Sequence, residues 1–126
     1  MKSFPEKKFL LYGEEKNLNE DVMKDYDYIF MPSFMLETLP SNSVDIFLNN
    51  SSLGEIKPNT CKKFVREIYR IGNSFWHLNH EFTRNKFENG EKSLINNEYP
   101  VSNEKFDLVS RFPEASNATY KGFFDK

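Results

Sequence analysis

The chain has 126 residues, 29% of them charged, a net charge of −2 and a single cysteine, with thirteen phenylalanines among 16% aromatics. One domain with a sizeable core fits that length. No basic excess points to nucleic acid, no apolar run reaches the roughly 20 residues of a membrane-spanning helix, and Cys61 has no partner for an intrachain disulfide. The first eight residues carry no apolar signal core, and the expected location is cytoplasmic.

In chain order, Lys8-Phe9-Leu10-Leu11-Tyr12 is a short apolar run stopped by Gly13 and reads as a strand. Residues 14–21 are polar and irregular, a loop with one helical turn at most. Tyr26 to Met31 is a second strand candidate, ended by Pro32. Phe34 to Leu39 reads as a single helical turn, with Ser33 as its cap.

Leu39-Pro40-Ser41-Asn42-Ser43 is dense in turn residues, and Ile46-Phe47-Leu48 follows as a continuous apolar run. Such a run suits a strand covered on both faces, as in a parallel sheet between helices. Four small polar residues, Asn49, Asn50, Ser51 and Ser52, come next, then Leu53-Gly54-Glu55. Ligands of open α/β sheets bind beyond the carboxyl ends of the strands, so this burst of amides and hydroxyls is a candidate site. The alternative is a hydrogen-bonded loop leading into a helix.

Pro58 to Ile71 is the clearest helix. Cys61, Phe64, Val65, Ile68 and Ile71 recur at helical spacing on one face, Pro58 suits the first turn and Gly72 the exit. Ser74 to Leu78 reads as the next strand. Residues 79–103 are irregular, and loops of that length are usually functional. Phe106 to Phe112 and Ala118 to Phe124, joined by residues 113–117, read as a terminal antiparallel hairpin.

The two histidines, His77 and His80, fall near the end of the Ser74–Leu78 strand, on the ligand side of the sheet, where a group titrating near neutrality can serve as a base. Glu55 is a second base candidate, with hydrogen bonding to its own loop as the competing role. The strand-to-loop spacing of His77, His80 and Glu81 enforces no common face, so a metal role is set aside. No phosphate loop and no nucleophile elbow are present.

The stretch Leu39-Pro40-x-x-Ser43-Val44-Asp45-Ile46-Phe47-Leu48-Asn49-Asn50-Ser51-Ser52-Leu53-Gly54-Glu55-Ile56 resembles the fourth-strand region of Rossmann-like, S-adenosylmethionine-dependent methyltransferases. Its Asn-Asn-Ser-Ser-Leu-Gly-Glu-Ile ending is most similar to the bacterial putative sugar O-methyltransferases. The resemblance runs from about Lys7 onward and covers only the later portion of such an enzyme. It implies an α/β fold: a partial methyltransferase sheet flanked by helices and closed by the terminal hairpin. It implies S-adenosylmethionine as cofactor, bordered by Phe34, Met35 and Leu36 and met by Asn49 and Asn50. It implies a sugar or glycan hydroxyl as substrate, near Ser51, Ser52 and Asn79, with His77, His80 or Glu55 as base.

Such enzymes carry a glycine-rich turn after the first strand. The five glycines here, at 13, 54, 72, 90 and 122, are too dispersed to make one. The expectation is a chain that binds the cofactor weakly by itself and leaves a sheet edge open, either to a second copy or to an upstream half of the enzyme. Residues 2–8 then read as the tail of a preceding helix. A non-catalytic interaction domain that keeps half of the fold, and an unrelated small α/β binding module, are the competing readings.

Overall fold

The computed structural model describes residues 5–111. The chain is mixed α/β. Strand β1 (Phe9–Leu11) leads through helix α1 (Glu20–Lys24) to β2 (Tyr28–Phe30), and a 3-10 segment (Ser33–Thr38) leads on to β3 (Val44–Asn50). A short 3-10 turn (Leu53–Glu55), helix α2 (Pro58–Ile71), β4 (Gly72–Leu78) and a last 3-10 turn (Asn96–Glu98) follow. β1 pairs with β2 and β3 with β4, both in parallel. Parallel neighbours need a long crossover between them, and α1 and α2 lie in those crossovers. Among the described residues the two pairs remain separate two-stranded sheets.

Helix α2 organises the core. Its Cys61, Val65, Ile68 and Ile71 are completely buried, and Cys61 and Val65 cluster with Leu53, Leu94 and Tyr99 against Phe75 of β4. The periodicity named these residues, and the helix has the bounds the sequence indicates, with Pro58 in its first turn. It passes directly into β4 at Gly72, which has an extended backbone (φ −89°). A Cβ there would stand 2.9 Å from the Ile68 carbonyl oxygen, so close approach is what requires glycine. Arg70 fastens the preceding segment to this helix: its guanidinium donates to the carbonyls of Leu39 (2.7 Å) and Leu36 (3.0 Å) and to Glu67 (2.8 Å). Lys105 donates to the Tyr69 carbonyl at the helix end (2.6 Å) and to Asn42 Oδ1 (2.7 Å).

Several expectations need correction. The strand through Ile46-Phe47-Leu48 exists, but only one of its faces is covered. Phe47 packs edge-on against Phe75 on the α2 side, whereas Ile46 is 61% exposed, Leu48 67% and their neighbour Trp76 49%. A continuous apolar run gives the strand, but the second covering layer must come from other residues, and those described do not supply it. Ser33 is not a cap: Pro32 holds that position and no side chain caps the segment. The polar stretch before β2 contains α1, started by Asn19, whose side chain accepts from the Val22 amide (2.9 Å). Residues 5–8 form a turn and an irregular approach to β1, not a helix tail. Residues 106–111 carry no strand, and the rest of the expected hairpin lies outside the described residues.

The irregular segment after β4 is tied down by its own bonds. Arg84 grips Glu98 through both terminal nitrogens (2.6 and 2.7 Å), and an antiparallel bridge joins Lys86 to Lys92. Fully buried Ser93 accepts from the Asn85 amide (2.9 Å), which brings Leu94 and Tyr99 into the core.

Candidate functional site

Strands β3 and β4 end together, with Asn49 opposite His77 and Asn50 opposite Leu78. Beyond them the polar residues form a crown wired largely to itself. Asn79 is its hub: the side chain donates to Asn49 Oδ1 (2.9 Å) and accepts from the Leu53 amide (3.1 Å). Asn49 donates in turn to Ser52 Oγ (2.6 Å), and Ser51 donates to Asn50 Oδ1 (2.9 Å). Ser51 turns the chain at φ +52°, a conformation unusual for a residue with a Cβ, and its amide donates to the Leu78 carbonyl (2.7 Å). These bonds hold the loop in place and commit most of the polar atoms of Asn49, Ser52 and Asn79 before any ligand arrives.

His80 and Glu55 keep a free exposed end. His80 Nε2 lies 3.7 Å from Glu55 Oε1, both side chains about half exposed, above Gly54. At that separation no direct hydrogen bond joins them, but an imidazole and a carboxylate stand side by side at the exposed end, the groups from which a general base is drawn.

His77 is placed differently. Its ring lies 4.7 Å from that of Phe75 and 5.5 Å from that of Tyr99, on the covered face, with Nδ1 buried and unpartnered among the described residues. Burial, and secondarily the charge of Arg111, holds its pKa below the ordinary 6.5. Its neutral form is thereby favoured, yet the ring packs among core aromatics and is not presented at the crown. Burial raises the Cys61 thiol to about 11, which leaves it a core residue and no nucleophile.

The proposed cofactor contacts fall into two groups that no hydrogen bond joins among the described residues. Met35 lines a small cavity at the carboxyl ends of β1 and β2, with Tyr12, Gly13 and Phe30. Phe34 is exposed, its ring edge-on to Tyr12 at 5.6 Å, and Leu36 is half-buried with its carbonyl held by Arg70. Asn49 and Asn50 belong to the crown. No group of three metal-ligating side chains occurs among the described residues.

Two contributors escaped the sequence reading. Asn85 donates to the Gly54 carbonyl (2.9 Å), and Asn96 donates from its side chain to the Asn79 carbonyl (3.3 Å) and from its backbone to that of His80 (3.1 Å). The density of asparagine between 79 and 97 was the available signal, but nothing local reveals that these amides fold back on β3 and β4. No family model, no curated protein and no solved structure matches this chain.

Proposed function

We propose that the chain is the later portion of an S-adenosylmethionine-dependent O-methyltransferase that acts on a sugar or glycan hydroxyl. The observation carrying this reading is the exposed His80–Glu55 pair at the carboxyl ends of a parallel strand pair, beside the Asn49–Asn79 network. Strand, helix and parallel strand in sequence, with the polar residues at that end, are what the resemblance in Leu39–Ile56 leads one to expect.

The residues present fit one end of the cofactor. The cavity beside Met35 has room for about one water only, so the adenine would lie on the exposed apolar side chains around it, Tyr12, Phe30 and Phe34, while the dispersed glycines offer no cradle for the amino-acid end. When bound, S-adenosylmethionine supplies a methyl group already activated by its sulfonium. The protein then positions the acceptor and holds a proton. Asn50 and Ser51 would hydrogen-bond the sugar, and His80 Nε2, beside Glu55, would accept the proton that the sugar hydroxyl gives up. His80, not His77, is the base in this reading, because only His80 reaches the exposed end.

The test is an amide-resolved NMR titration of the chain with S-adenosylmethionine into the millimolar range. Expected are weak, saturable shifts at Gly13, Met35 and Asn49 to Glu55. Spectra unchanged at these positions overturn the proposal. The second reading, an interaction domain retaining half of the sheet, is favoured by the bare side chains of Ile46, Leu48 and Trp76, and predicts silence in this titration.

A further inference from the structure

The face of β3–β4 that turns away from α2 is made of Ile46 and Leu48 on one strand and Trp76 on the other, with Leu48 directly beside Trp76 and Ile46 beside Ser74. The remaining positions of that parity, among them Val44, Asn50 and Gly72, are uncharged, so no charge projects from the face. Parallel strands are seldom left bare on one side. Tryptophan is also among the residues that most often anchor protein interfaces.

The helices among the described residues are not free to cover this face. The apolar side of α2 is fully buried in its own core, and α1 has five residues, none of them buried. What a second copy can offer is a bare strand face. We propose that the β3–β4 face docks on the same face of a second copy across a two-fold axis. In such a contact each residue meets its own counterpart or a near neighbour. A charge-free face therefore meets no like-charge repulsion, and two sheets of the same twist pack at about 10 Å. Docking on the aromatic β1–β2 face (Phe9, Tyr28, Phe30) of the next copy is the heterologous alternative, which closes only if the rotation between copies completes a ring and otherwise grows into open-ended assemblies. That face also has the charged Lys7–Asp27 pair at its margin. The exposed side chains offer roughly 400 Å² per copy against the ~800 Å² of a standard interface, so the dimer belongs to the weak, concentration-dependent class.

Trp76 is the sole tryptophan, and its emission reads this face alone. Sedimentation and fluorescence are followed together over a dilution series from about 1 mM to about 1 µM. Expected is a doubling of mass at high concentration, with a blue shift of emission over the same range. Leu48→Lys weakens association by more than about tenfold and leaves the emission red throughout. Ser74→Asp, a milder change beside Ile46, acts in the same direction if Leu48→Lys fails to fold. Leu11→Lys, on the other bare face, leaves the dimer intact. A monomer at every concentration, a dimer whose emission does not move, or open-ended growth abolished by Leu11→Lys each overturns the proposal. Ligand titration at micromolar protein tests the enzymatic reading separately.

Discussion

On the side of the β3–β4 pair that meets α2, Phe75 stands against the cluster of Val65, Cys61 and Tyr99, with Phe47 and His77 against its ring; on the other side the described residues leave Ile46, Leu48 and Trp76 exposed. The same two strands make both faces, with side chains of the same kind. Strand pairing therefore does not depend on which face is covered, and the stability of this part of the chain comes from the α2 side. The sharpest way to break the comparison is to truncate one residue on each face. Ile68→Ala, completely buried, is expected to cost about 2–5 kcal/mol, and Leu48→Ala no more than about 0.5 kcal/mol, by urea unfolding at micromolar concentration. A Leu48→Ala cost approaching that of Ile68→Ala would mean that the second face is covered after all.

A smaller effect sharpens the covered side. Gly72 takes the chain from α2 into β4 with no linking residue, and an added Cβ meets a backbone oxygen that cannot swing aside. Gly72→Ala is expected to cost about 1–3 kcal/mol in the same assay, through overpacking and not through backbone conformation, since φ is ordinary there. A neutral outcome would show that the helix end can move off β4.

His77 tests the covered side by pH. In the fold its pKa lies below 6.5, chiefly because it is buried, while in the unfolded chain it returns to the ordinary value. Below that ordinary value the unfolded state binds a proton that the folded state refuses. Stability is thus undiminished above neutrality and falls as the pH drops from about 6.5 toward the depressed folded value. His77→Gln is expected to flatten the fall in stability measured between about pH 7 and pH 5. An unchanged slope would place the ring in solvent, off the Phe75–Tyr99 stack.

The covered half was legible in the sequence because its signal is local. Cys61, Val65, Ile68 and Ile71 announce a helix face, and Pro58 and Gly72 mark its ends. The strands were legible as apolar runs between turns, to within a residue or two. The layer over Ile46 and Leu48 was not, because an apolar run records that a strand favours burial and not whether anything buries it. The crown was half legible. Asn49 to Ser52 were singled out by composition, but Asn79 became the hub through a contact 26 residues away in sequence, with the Leu53 amide. His77 and His80 looked alike from their spacing. Strand alternation with the chain's exit from β4 sends one into the aromatic core and leaves the other beside Glu55.

The smallest expected effect distinguishes the crown from the core beneath it. A Cβ on Gly54 would approach His80 Cδ2 at 3.0 Å, and that atom belongs to a half-exposed side chain able to rotate away, unlike the fixed carbonyl facing Gly72. Gly54→Ala is therefore expected to change stability by less than about 0.5 kcal/mol. The methyl group does occupy the place from which the imidazole faces Glu55, and the ring must leave it. Histidine NMR signals should report that change: the His80 ring resonances move and lose their sensitivity to Glu55→Gln, while those of His77 stay where they were. His80 resonances that remain in place and still respond to Glu55→Gln would show that the pair accommodates the methyl. In that event the 3.7 Å separation is set by the surrounding Asn79–Asn96 bonds and not by the bare backbone at Gly54.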